Sequence, residues 1–198
     1  MVKNIALVLA VATAITGLAL GEEVPIQRSQ IEDSLDIAEV PSGFPVRVCL
    51  LTAGKTQYVA YYDRLRRMTV ASRPLDSNKW TYQVLPSTVG WDSHNYITMA
   101  MDDDGYLHVS GNMHCVPLIY FRTEKPGDIA TLKKLSMTGN AENRCTYPKF
   151  MRDADNRLIF HYRDGGSGRG ARSTMRMTLR RKSGRGCWTL LLPMDRER

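Results

Sequence analysis

From Val46 onward, short runs of apolar and β-branched residues alternate with turn-forming clusters, and no run keeps a helical period. Residues 57–62, 105–110 and 156–162 are three such runs. The second is introduced by Asp102-Asp103-Asp104-Gly105 and the third by Asp153-Ala154-Asp155-Asn156. Such clusters favour tight turns, because short Asp and Asn side chains bond nearby backbone N–H groups. The runs keep step, with 49 positions from Tyr58 to Leu107 and 51 from Leu107 to Leu158. Flanking runs repeat the step. Val70 in 68–73 matches Tyr120 in 118–122, 50 later, and Trp80 in 80–84 matches Thr131 in 131–135, 51 later. A period near fifty with four short strands per unit predicts β-propeller blades, antiparallel sheets that bury their faces against one another. A β-sandwich with coincidental spacing is the alternative.

The spacing places two complete blades at 46–86 and 96–137 and a third from Cys145. Beyond Gly170 the pattern loses clean alternation, and 172–185 carries six basic residues. The blades are therefore expected to end at 170, leaving 171–198 as a basic tail of aberrant composition. Ring closure takes at least four blades, so the sequence is expected to be a piece of a longer protein.

The other end reads differently. Lys3 precedes an apolar stretch, residues 5–20, and Ala19-Leu20-Gly21 offers the small residues a signal peptidase reads. Sixteen residues fall short of the ~20 that span a bilayer. This predicts a signal peptide at 1–21, a secreted or periplasmic protein, and no membrane association after cleavage. Residues 22–45 read as a linker or strap.

The net charge is +7, of which residues 164–198 supply +6 and Lys3 the rest. Residues 22–163 balance, with 17 basic and 17 acidic side chains. A nucleic-acid-binding domain spreads positive charge over its folded body, so no nucleic-acid partner is expected. Cys49, Cys115, Cys145 and Cys187 form no CxxC pair, which excludes a zinc ribbon or thioredoxin-like motif. Four cysteines allow three pairings, and free thiols are as compatible with the sequence as a bridge.

The densest polar cluster is Gly90-Trp91-Asp92-Ser93-His94-Asn95, before a blade's first strand. Ser110-Gly111-Asn112-Met113-His114 follows that blade's second strand. Adjacent strands run antiparallel, so these two chain ends share one rim, and His94 and His114 can meet there as an acid/base pair. His108 and His161 lie inside strand runs and read as packing or surface residues. In the third blade Tyr147 and Arg163 hold the corresponding positions. A tyrosine can relay a proton, and an arginine can pair bidentately with a carboxylate. This set suits β-elimination from a uronic-acid polymer. Arg163 neutralises the uronate, and His or Tyr groups take the C5 proton and protonate the C4 oxygen. No metal or other cofactor is required. A glycosidase wants two opposed carboxylates, for which Asp92 and Asp164 are available.

These segments, with Tyr147-Pro148-Lys149-Phe150 and Phe160-His161-Tyr162-Arg163-Asp164-Gly165-Gly166-Ser167-Gly168, resemble the BNR-repeat (sialidase-like) propellers, and among them the ulvan-lyase-type polysaccharide lyases. The resemblance covers 46–170. It implies an all-β partial β-propeller, about two and a half four-stranded blades of seven. It also implies catalytic roles for His94, His114, Tyr147 and Arg163, with substrate contacts from Asn95, Asn112 and Trp91. The implied partner is an acidic polysaccharide, uronate-containing and in some cases sulfated. The sialidase arginine triad is not seen. A non-catalytic glycan-binding propeller fragment and a sialidase-type glycoside hydrolase are the alternatives. Oligomeric state is not legible.

Overall fold

The computed structural model describes residues 34–43, 45–166, 171–179 and 186–194. The expected signal peptide and most of the linker lie outside them. All the strands lie within the unit Leu35–Arg198.

The first sheet is a meander of β1 (Cys49–Ala53), β2 (Thr56–Tyr62), β3 (Arg67–Pro74) and β4 (Thr81–Thr88), in that order. The chain continues through β5 (Ile97–Met101), β6 (Leu107–Gly111), β7 (His114–Val116), β8 (Tyr120–Thr123) and β9 (Leu132–Lys134). The second sheet has the order β5-β6-β8-β9. The third contains β10 (Cys145–Arg152), β11 (Leu158–Asp164), β12 (Ala171–Leu179) and β13 (Gly186–Met194). Its order is β13-β12-β11-β10-β7, so β7 crosses over from the middle of the second repeat. All pairings are antiparallel. The opening strands β1, β5 and β10 touch in succession, as the inner strands of consecutive propeller blades do.

Aspartates set the hairpin turns. Asp102 Oδ1 accepts the backbone N–H groups of Asp104 and Tyr106, and Gly105 takes φ +80°. Asp153 repeats this with Asp155 and Arg157, with Asn156 at φ +61°. Asp63 does the same between β2 and β3, bonding Leu65 and Arg67.

Alternation along the strands then builds two cores. In β6, Leu107 and Val109 join Tyr58, Met68, Val70 and Phe121 between the first and second sheets. The intervening His108 and Ser110 are buried as well. Tyr120, Phe160, Tyr162 and Trp188 pack in the core shared with the third sheet.

Two expectations are corrected here. The third blade does not fail after Gly170: β12 pairs with β11 from Ile159↔Arg176 to Asp164↔Ala171, and β13 pairs with β12. The basic residues of 171–179 stand in a strand rather than in a tail, and the partial propeller shows three antiparallel sheets among the described residues. The ladder is made of main-chain hydrogen bonds, which do not depend on the charge of the side chains they carry. The segment after the second blade's second strand, which the spacing left without a pairing, forms β7 and pairs Val116 with Cys145 and His114 with Thr146. Among the described residues no helix is long and apolar enough to cross a membrane.

The buried polar set beside this core is a directional chain. Trp188 Nε1–H donates to the Tyr120 hydroxyl (3.0 Å), and that hydroxyl donates to His108 Nδ1 (2.7 Å). His108 Nε2–H donates to Asp102 Oδ2 (3.1 Å), which also meets Arg122 at 3.3 Å. Ionised Asp102 only accepts, and that fixes the tautomer. Burial depresses the His108 pKa below 6.5, against the opposing pull of Asp102. Burial raises the Asp102 pKa, but bonds from His108, Tyr106 and Arg122 outweigh it, and the carboxyl ends below 3.8. The unfolded chain therefore takes up a proton on His108 at a pH where the folded one does not. Stability is fully present above pH 6.5 and falls as the pH drops toward the folded value, with a slope of up to about 1.4 kcal/mol per pH unit. Asp102 adds a second loss below 3.8. Urea midpoints measured from about pH 7.5 to about pH 5 should fall for the native chain and fall less for His108→Gln.

Candidate active site

The mouth lies where β4 passes into β5, β6 into β7, and β10 begins. Tyr62 in β2 donates its hydroxyl to the Asn95 carbonyl at 2.6 Å, which pins the 90–96 loop from beneath. Gly111 closes β6 against Ile97, and a Cβ there would stand 2.8 Å from the Tyr96 carbonyl oxygen. Gly111→Ala should therefore push β6 from β5 and lower stability by about 1–3 kcal/mol, as overpacking does. Chemical denaturation checks it.

Beyond Gly111, Asn112 turns into left-handed backbone, φ +55°. Its amide nitrogen donates to Ser87 Oγ (2.9 Å) and the Thr88 carbonyl (3.1 Å). That nitrogen ties the second sheet to the first, which gives Asn112 a bracing role in addition to the contact role expected of it. Met113 is fully buried and anchors the turn. Cys115, at φ +59°, donates its N–H to the buried Thr146 Oγ1 at 2.7 Å. His114 is thus held between a buried methionine and a bond to β10.

Asp92 joins the two histidines. Its Oδ1 accepts from the His94 backbone (3.0 Å) and lies 2.5 Å from His94 Nδ1. Its Oδ2 lies 2.5 Å from His114 Nδ1. The bonds from the His94 backbone and ring, with that from His114, hold the Asp92 carboxyl well below the usual carboxylate range. An ionised carboxylate only accepts, so both rings carry hydrogen on Nδ1 and turn Nε2 outward. The rings stack with centroids 4.4 Å apart at 26°. All three side chains are part-exposed, 37% for Asp92, 44% for His94 and 36% for His114.

Tyr147 completes the mouth. It sits at the register shift between Thr146 and Lys149 with φ +59°. Left-handed backbone is uncommon for an aromatic residue, and a residue before proline favours extended backbone. Such strain costs about 1–3 kcal/mol and clusters at functional sites. The turn brings the Tyr147 ring 5.7 Å from His94 and sets it nearly parallel to Tyr96 at 6.5 Å. Arg163 lies over Tyr147, 4.9 Å from guanidinium carbon to ring centroid, and donates Nε–H to the Gly165 carbonyl.

His94, His114, Tyr147 and Arg163 therefore share one mouth. Trp91 is 70% exposed with the Arg66 guanidinium 5.0 Å over its ring. Asn95 is buried, and its side-chain oxygen has no hydrogen-bond partner among the described residues. By sequence, Asp92 reads only as a spare carboxylate. Thr146 and Tyr62, which set the loops, carry no sequence signal. His108 is a packed residue, fully buried.

Residues 56–190 match the model of the BNR repeat-containing family. No curated protein matches the chain. Among solved structures, a polysaccharide lyase, Uly1, is similar at 17% identity and a TM-score of 0.59, over 87% of this chain and 47% of its own. An ulvan lyase of polysaccharide lyase family PL25 is similar at 19% identity and a TM-score of 0.58, over 79% of this chain and 40% of its own. A structure of a PL25 ulvan lyase bound to -[GlcA(1-4)Rha3S]- gives 18% and 0.58 over the same shares. The chain spans 40–47% of the length of these structures. At such identities the likeness carries the fold, and the three sheets are blades of a β-propeller. With the family pattern running from β2 into β13, the chain belongs to the BNR repeat-containing family.

Proposed function

We propose that this chain is an exported, carbohydrate-active propeller whose chemistry is β-elimination on a uronate-containing, sulfated polysaccharide. One arrangement supports the reading: two stacked imidazoles are braced by Asp92, and one of them, His94, lies 5.7 Å from a phenol beneath a guanidinium. Arg163 pairs with the uronate carboxylate and stabilises the enolate-like charge that develops on it. With Nδ1–H held by Asp92, an imidazole Nε2 accepts the C5 proton. The Tyr147 hydroxyl protonates the departing C4 oxygen, and the imidazolium then returns a proton to the tyrosinate. The C5–H and C4–O bonds break, a C4–C5 double bond forms, and no oxidant or water is consumed. Trp91 supplies an apolar platform for a sugar ring. The relative solved with -[GlcA(1-4)Rha3S]- supports a glucuronate-containing, sulfated polymer as substrate.

Hydrolysis fits less well. Asp92 is bound by two imidazoles and held ionised, so it has no proton to give a leaving group. A non-catalytic glycan-binding role is the second reading, favoured by the 70% exposed Trp91 ring, which can hold a sugar without any proton transfer. Incubation with ulvan-type polymer separates the three. A lyase releases unsaturated uronate that absorbs in the ultraviolet. A hydrolase releases only new reducing ends. A binder is retarded by the polymer in affinity electrophoresis and releases neither.

A further inference from the structure

The geometry points to a divalent-metal site at Asp92, His94 and His114, one that takes zinc, copper or nickel and, when filled, silences the mouth. The inference rests on the lyase reading only for this last consequence; the site itself stands on geometry.

One donor atom from each residue lies within 4.8 Å of the other two. A four-coordinate zinc holds nitrogens at about 2.0–2.1 Å, which places two of them about 3.4 Å apart. The side chains can close by that amount because they are part-exposed and stand in the 90–96 loop and the short strand β7. Two imidazoles and one carboxylate are donors of the borderline class. They favour late first-row divalent ions over calcium or magnesium, which prefer oxygen alone. The carboxylate is ionised before any ion arrives, and the rings need only shift a hydrogen from Nδ1 to Nε2 to present Nδ1 lone pairs. That tautomer puts hydrogen on the nitrogen that elimination uses as its base. Metal and proton transfer therefore exclude each other. Because the three side chains are part-exposed, water can supply the fourth ligand.

Isothermal titration of the chelator-stripped chain with zinc chloride tests the site without substrate. One equivalent should bind. His94→Gln and His114→Gln should each weaken binding about tenfold or more, with circular dichroism confirming that both variants fold. His161→Gln and Cys115→Ser should leave binding unchanged. Asp92→Asn, which keeps the shape and removes the charge, should weaken binding by a similar factor. Absence of binding, full binding in both histidine variants, loss of binding in Cys115→Ser, or displacement of zinc by millimolar calcium would each overturn the site. Activity is read separately. If uronate release falls with the same zinc midpoint as binding, the silencing stands. If zinc binds at the triad while release continues, the silencing is overturned. A chain that binds zinc but never releases uronate keeps the site and removes the lyase reading.

Discussion

Arg163→Ala is expected to lower the release of unsaturated uronate by about 10²–10³, the range seen when one preorganised donor to a developing oxyanion is removed. The guanidinium is half-buried, held by its bond to the Gly165 carbonyl and by the Tyr147 ring beneath it. In the proposed elimination it would meet the uronate already oriented, and its contribution would grow as charge moves onto the carboxylate. Arg163→Lys keeps a charge but loses the planar fork and should recover only part of the rate. Stopped-flow absorbance with saturating polymer separates kcat from KM. A drop confined to KM would mean that Arg163 holds the ground state alone, and unchanged turnover would remove it from the chemistry. His94→Ala with full activity would similarly take that imidazole out of the proton relay.

The second large effect is on stability. Phe160→Ala should cost about 3–5 kcal/mol, the loss typical of an aromatic ring deleted from a packed interior. Phe160 is fully buried in β11, with ring centroids 4.8 Å from Phe150, 5.7 Å from Tyr162 and 6.2 Å from Trp188. Those neighbours come from β10, β11 and β13, and three rigid rings cannot collapse into the space. Domains are stable by about 5–15 kcal/mol in all, so the variant should have a far lower urea midpoint. A loss below about 1 kcal/mol would show that the third sheet packs more loosely than its ring contacts require.

Much of this architecture can be read directly from the chain. The step near fifty and the Asp-rich turns reflect local causes: apolar alternation and carboxylates that bond backbone two and four residues on. The third sheet is harder to read. Met175, Met177 and Leu179 do alternate with Thr174, Arg176 and Thr178. Four further basic residues at 180–185 swamp that signal, because a count of charges does not register main-chain pairing. The strand β7 is illegible for another reason. Three residues carry no period, and their pairing with β10 depends on a register set some thirty residues away. The mouth shows the same division. His94 and His114 can be placed at one rim from strand direction, but a single carboxylate serving a neighbour two residues away and a partner 22 away leaves no linear pattern. The left-handed Tyr147 runs against the preference of a residue before proline, and only the bulge explains it. The partners of His108 lie 6 and 12 positions distant, with Trp188 against its ring from the far end of the chain, brought together by sheet packing alone.

The strand β7 belongs to the second repeat by covalent order and to the third by its ladder. Prising those two blades apart therefore means breaking main-chain bonds as well as a greasy contact, so they should open as one cooperative unit while the first blade can fray by itself. In native-state deuterium exchange, amides of β6, β7 and β10 should share one opening free energy, with those of β1 exchanging sooner. Kinship at the level of the repeat thus need not coincide with the grain along which the molecule comes undone.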